Sequence, residues 1–184
     1  MLRILDLIIA GLAILLLLPF IIFIYIILYF ENRSPFLYQV RIGKNMSRFV
    51  LIKFRTMDLD TKSCATHLVD SSKITRLGSI LRKTKIDEIP QLFNVIKGEM
   101  SLVGPRPCLP SQEELINLRN EYNLYKFLPG ITGLAQIKSI DMSDPKLLSK
   151  TEYRMMCNLN IYRYFYYLIM TFIGKGFGDR VKII

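Results

Sequence analysis

LIIAGLAILLLLPFIIFIYIILYF, residues 7–30, carries no charge from end to end. Wound as an α-helix it would be about 36 Å long, against a bilayer hydrocarbon core of roughly 30 Å. A secretory signal has a shorter apolar core followed by small residues at a cleavage site. Here Glu31-Asn32-Arg33 follows instead, so the stretch reads as a membrane-embedded helix. Pro19 stands near its middle, where it removes a helix hydrogen bond, crowds the preceding turn and should bend the helix. Membrane helices tolerate this, so a helix that crosses and one that bends back both fit. Arg33, Arg41, Lys44, Arg48, Lys53 and Arg55 follow the stretch, which puts that flank in the cytoplasm by the positive-inside rule. The preceding flank, with Arg3 and Asp6, is weakly basic as well.

The remaining chain is one domain's worth of sequence: 184 residues in all. A net charge of +10 combined with 51% hydrophobic residues excludes disorder and suits a basic protein held against a membrane. Cys64, Cys108 and Cys157 lie far apart and His67 is the single histidine, so neither a zinc site nor a disulfide framework is expected. Reduced thiols facing the cytosol are the plain reading.

Outward from the apolar stretch, 36–42 and 49–57 are rich in β-formers around Gly43-Lys44-Asn45, a β-hairpin pattern. Residues 61–72 read as a mobile loop. Residues 75–85 read as a helix with Leu77, Ile80 and Leu81 on one face. Residues 87–97 read as a second helix, with Asp87 as N-cap, Pro90 in the first turn and Gly98 as its stop. Ser111 and Glu114 form a capping-box pattern opening a helix to about Lys126, with Leu115, Leu118, Tyr122 and Tyr125 as its stripe. Residues 159–173 are tyrosine-rich and too short to span, and suit either the membrane interface or the core. Gly174-Lys175-Gly176-Phe177-Gly178 matches no nucleotide fingerprint and reads as a flexible basic tail.

Four places could carry chemistry. Asp87-Glu88 sits behind Arg82, Lys83 and Lys85. At a helix N-terminus the backbone amides favour both an ionised carboxylate and a bound phosphate. An ionised aspartate can attack phosphorus, and a second carboxylate can hold a divalent metal or manage a proton. The ordinary alternative is a cap beside a solvated glutamate. Lys53 and Arg55, two apart on a strand, would share a face suited to phosphate, or simply to water. Arg106 lies between Pro105 and Pro107, whose fixed φ angles would pre-position its guanidinium for a phosphate, or the segment is a plain loop. Pro129-Gly130-Ile131-Thr132-Gly133 could bring backbone close to a ligand, or be a tight turn only.

Taken in order, Arg41-Ile42-Gly43-Lys44, Lys53-Phe54-Arg55-Thr56-Met57, the segment from Ile86 to Val95, Met100 to Pro107 and Pro129 to Gln136 resemble the bacterial sugar transferases called monotopic phosphoglycosyl transferases, in their small form. That resemblance implies an α+β fold. An N-terminal membrane helix, residues 1–30, would be re-entrant and broken at Pro19; a cytoplasmic catalytic domain with interfacial amphipathic helices and a small hairpin, 31–184, would lie on the inner face of the bacterial plasma membrane. It implies that Asp87 is the nucleophile, taking a sugar phosphate from a UDP-sugar and releasing UMP, and that undecaprenyl phosphate then attacks the covalent intermediate. Asp87 and Glu88 would serve Mg²⁺, while Lys53, Arg82 and Arg106 would bind phosphate. Related enzymes often use N-acetylated amino sugars. Leu18 stands where the family has serine before the proline, Leu134 where it has tryptophan, and Tyr162 near an expected aspartate. A non-enzymatic basic module binding acidic lipid or nucleic acid is the competing reading. The Asp87-Glu88 pair and the proline-clamped Arg106 argue against it.

Overall fold

A computed structural model describes residues 2–58 and 73–174. The expectations for 61–72 and for the glycine-rich segment beyond Gly174 lie outside the described residues, as do Cys64 and His67.

The apolar stretch is a single helix, α1 (Leu2–Asn32), with Pro19 inside it. Its buried residues gather towards the two ends: Asp6 and Ala10 on one side, Ile21, Ile24 and Leu28 on the other, and none between 11 and 20. The first end packs with Phe49, Val95, Met100 and Leu102. The second packs with Phe54 and Leu81, and with Ile86 and Ile89. Leu15 and Leu16, between them, are 68% and 77% exposed.

Polar bonds secure the first end. Arg3 donates to the carbonyls of Val95 and Met100 at 2.6 and 2.9 Å. Asp6 accepts from the Leu102 amide at 3.0 Å and the Tyr164 hydroxyl at 2.8 Å. Asp6 is only 2% exposed, and these donors stand in for the water it has lost.

β1 (Phe36–Ile42) and β2 (Arg48–Phe54) form the expected antiparallel hairpin, with Phe36 opposite Phe54 and Ile42 opposite Arg48. β2 stops before the expected Met57. The Arg55 amide bonds back to Pro35, and the Thr56 carbonyl accepts from the Thr75 amide. Alternation therefore ends at Phe54, and Arg55 does not share a ligand face with Lys53. Its guanidinium bonds the carbonyls of Ser34 and Phe36 instead.

α2 (Arg76–Lys83) begins at Thr75, whose hydroxyl caps the Gly78 amide. Gly78 is required there, because a Cβ would lie 2.1 Å from the Thr56 carbonyl oxygen. The expected helix over 87–97 is divided. Ile86–Glu88 is a 3₁₀ turn, and α3 (Gln91–Lys97) starts after Pro90. Proline has no N–H to continue an α ladder from Ile86, and the Ile89 amide takes the shorter bond to the Ile86 carbonyl. Asp87 is thus inside the turn and does not cap α3. Gly98, at φ 88°, ends α3 in the left-handed region.

β3 (Ser101–Val103) pairs in parallel with β4 (Gly130–Thr132). Between them α4 (Glu113–Glu121) is shorter than expected, and its N-cap position is Gln112, not Ser111. Asn123, at φ 51°, interrupts the chain before a 3₁₀ turn at Leu124–Lys126, so Tyr122 and Tyr125 leave the helical stripe. α5 (Leu134–Ile137), α6 (Pro145–Cys157) and α7 (Ile161–Phe172) complete the α+β architecture. The core reading of the tyrosine-rich segment holds for one face of α7, where Tyr164 and Tyr167 are buried, while Tyr162 and Phe172 are 84% and 91% exposed.

Candidate active site

Three segments converge on Glu88. The 3₁₀ turn carries Asp87, which is 7% exposed, beside Glu88. β2 delivers Lys53, whose Nζ is 4.0 Å from Glu88 Oε1. The turn after β3 delivers Arg106, whose Nη2 donates to the same oxygen at 3.3 Å. The side chains of Lys53 and Glu88 are each only 11% exposed. Two cations therefore face the Glu88 carboxylate, next in sequence to the buried Asp87, in a partly desolvated place, where charge–charge attraction is stronger than in water.

The frame around these groups is rigid. Asn94, fully buried in α3, accepts from the Ile52 amide at 3.1 Å and donates to the Val50 carbonyl at 2.7 Å, so it stitches α3 to the outer edge of β2. That bond pair holds Lys53 and the Asp87-Glu88 turn in register. The Arg41 guanidinium donates to the Pro107 carbonyl at 3.0 Å, and the Arg106 amide donates to Glu152 Oε1 at 3.0 Å. Glu152 is itself bound by Arg119 in fork fashion, at 2.8 and 2.6 Å. Burial by itself would lower the Arg119 pKa. The Glu152 carboxylate facing it, together with Cys108 and Tyr125 nearby, offsets that, and the guanidinium titrates above its usual value.

Arg82 is placed differently. Its Nε donates to Thr56 Oγ1 at 2.9 Å and its Nη2 to Met57 Sδ at 3.4 Å, while Nη1 is buried with no hydrogen-bond partner among the described residues. An arginine nitrogen left unpaired costs free energy that an anion could recover. The structure brings Lys53, Glu88 and Arg106 together and records Arg82 bonded at the end of β2. Pro19 lies in α1, between Leu17 and Phe20, which pack against the same buried cluster as Ile86 and Ile89, the residues on either side of Asp87 and Glu88.

The glycines of the Pro129 turn are packed against protein atoms. A Cβ at Gly130 would lie 2.0 Å from the Gly104 nitrogen, and one at Gly104 would lie 2.5 Å from the Leu128 carbonyl oxygen. The turn is packed onto the Gly104-Pro105-Arg106 segment, with the Gly130 amide bonded to Pro105 at 2.8 Å.

Among the described residues no cluster of three or more His, Cys, Asp or Glu is present. Asp87 and Glu88 alone would form part of a Mg²⁺ shell. That fits a metal which completes its octahedron with water and substrate phosphate oxygens, as Mg²⁺ ordinarily does.

Sequence reasoning missed Arg119 and Glu152. Each lies one turn beyond a buried leucine on its helix, Leu115 and Leu148, so the available signal was a charge set on an apolar stripe.

The profile of the family described as bacterial sugar transferase matches residues 1–174. An exopolysaccharide production protein of Rhizobium leguminosarum bv. phaseoli is 39% identical, over 70% of this chain and 68% of that protein. A UDP-glucose:undecaprenyl-phosphate glucose-1-phosphate transferase of Caulobacter vibrioides is 38% identical, over 75% of this chain and 54% of its own length. A UDP-N-acetylgalactosamine-undecaprenyl-phosphate N-acetylgalactosaminephosphotransferase of Aeromonas hydrophila is 30% identical, over 95% of this chain and 44% of its own length. The chain thus spans about half the length of the last two.

Proposed function

The chain belongs to the bacterial sugar transferase family, and from that membership we propose that it moves a sugar phosphate from a UDP-sugar to undecaprenyl phosphate. The observation that carries the proposal is the convergence of Lys53 and Arg106 on the carboxylate next to Asp87. A diphosphate entering this place meets two cations already gathered and a buried carboxylate beside them. An Asp87 oxygen attacks the sugar-bearing phosphorus, the bond to the bridging oxygen breaks, and UMP leaves with that electron pair. A phosphate oxygen of undecaprenyl phosphate then attacks the same phosphorus, and Asp87 is released as carboxylate. Lys53, Arg106 and Nη1 of Arg82 hold phosphate oxygens. Glu88 spaces the cations before substrate arrives and, with Asp87, would help hold the metal. Mg²⁺, bound by the two carboxylates and the phosphates, would offset the diphosphate charge.

The packing of α1 supports a re-entrant placement on the cytoplasmic face of the bacterial inner membrane. Both ends of the helix are bonded or packed to the same body, while none of residues 11–20 between them is fully buried. Anionic headgroups would add attraction for the basic surface. An N-acetylated amino sugar is the first donor to try, with support from the name of the Aeromonas relative.

The test is UMP release by purified protein with Mg²⁺ and a panel of UDP-sugars, without and then with undecaprenyl phosphate. Without acceptor, one equivalent of UMP and a phosphosugar adduct on the Asp87 peptide are expected. Asp87→Asn should lose both. An adduct on another residue would overturn the assignment. UMP release that strictly requires acceptor would replace the two-step course with a direct displacement.

A further inference from the structure

Arg106 owes its position to a pair of charges that never reaches the reacting centre. Glu152 on α6 has no exposed surface and Arg119 on α4 is 2% exposed. They bind each other at 2.6 and 2.8 Å. A buried ion pair of this kind is a weak source of stability, since desolvating two charges offsets much of their attraction. Its geometry points to another use. Glu152 Oε1, the oxygen that accepts from Arg119 Nη2, also accepts from the Arg106 backbone amide at 3.0 Å. That amide belongs to the residue whose guanidinium reaches Glu88 at 3.3 Å. It lies between two prolines that have no amide to offer, so of residues 105–107 it alone can be held through an N–H.

We propose that Glu152, oriented by the Arg119 fork, is a positioning residue that fixes the Arg106 backbone and so aims its guanidinium at the phosphate-binding place beside Glu88. What Arg106 would bind there rests on the transferase reading; the aiming itself does not. Arg119 supplies the fork that leaves Glu152 one rotamer, and Glu152 passes that order to the loop.

The expected signature is that activity and stability fall out of step. Arg119→Met/Glu152→Met replaces the pair with apolar side chains of similar length, which leaves no lone buried charge and preserves the fold. It also leaves the Arg106 amide without its acceptor. The double variant should melt within a few degrees of wild type, yet show a tenfold or greater rise in KM for the donor in UMP release. Glu152→Gln retains an oxygen for the Arg106 amide while it spoils the fork with Arg119. It should be the less stable of the two and the more active. In an Arg106→Ala background the double Met change should have no further effect on the donor KM, because nothing is left to aim.

Phenylglyoxal labelling of the Arg106 peptide, read by mass spectrometry without any substrate, gives an arm independent of the transferase reading. Labelling should speed up several-fold in the double Met variant and less in Glu152→Gln. Absence of UMP release by wild type with unchanged labelling contrasts would sink the transferase reading alone. Wild-type labelling rates in the double Met variant, or an equal KM penalty with and without Arg106, would overturn the positioning role. Should the double Met variant fail to fold, Glu152→Gln decides: an Arg106 labelling rate above that of wild type supports the inference, and no change refutes it.

Discussion

Gly130 and Gly104 touch through their backbones, and no side chain can be inserted between them. Gly130→Ala should therefore cost about 4 kcal/mol or more, since its Cβ meets peptide atoms that cannot swing aside. Loss of soluble yield, or a drop in melting temperature beyond that of a surface control, checks this. Tyr164 gives a second prediction at the same scale. Burial first, and then its bond to the Asp6 carboxylate, push its ionisation upward, with Arg3 pulling weakly the other way. The folded pKa lies above the unfolded one, so the stability this tyrosine contributes is complete below about pH 10 and is lost as pH rises beyond it. Tyr125, Tyr153 and Tyr167 are shifted the same way, so the contrast between variants is the test. Tyr164→Phe should lose less stability than wild type between about pH 10 and 11.5, measured by urea melts across that range. Equal slopes would show that the hydroxyl is not held as described.

Among the elements, the seam between β2 and α3 matters most, because it sets Lys53 against Glu88. Asn94→Leu would leave the Ile52 amide and the Val50 carbonyl without their partner. A loss of about 3 kcal/mol is expected, with a fall in UMP release larger than the unfolded fraction explains. How far such seams could be read from sequence differs by the reach of the interaction. The hairpin was legible because its pattern is local: β-formers alternate on both sides of Gly43. The start of α2 at Thr75 was legible for the same reason. The division at Pro90 was not, since a proline suits a first helical turn and an N-cap position equally, and only the bond from Ile89 to Ile86 decides between them. The 101–103 and 130–132 pairing left no periodicity at all in strands so short. At the site, Asp87, Glu88, Lys53 and Arg106 stood out through spacing and resemblance. Glu152 and Arg119 are ordinary helix residues until α4 and α6 are laid together.

For the whole molecule, the question is which side of the bilayer each end of α1 occupies. In the proposed re-entrant placement a Leu2→Cys probe, in a background lacking Cys64 and Cys157, is labelled by an impermeant maleimide only after the cytoplasmic face is opened. Labelling from the periplasmic side of intact spheroplasts would show a crossing helix. Pro19→Ala restores the missing hydrogen bond and favours a straight rod, so part of the population should become labelled from the periplasm, with activity falling in proportion. The bonds at the start of α1 bear on something else, the order of assembly during synthesis. Arg3 and Asp6 meet partners 92 and 158 residues further along the chain. α1 leaves the ribosome long before Val95, and longer still before Tyr164. Throughout that interval the carboxylate of Asp6 has only water and Arg3 for company, at a stage when its helix is already seeking lipid. Contacts this distant in sequence close late and slowly. Nascent chains stalled short of residue 164 should thus keep the beginning of α1 open to protease, and release of the finished chain should shield it.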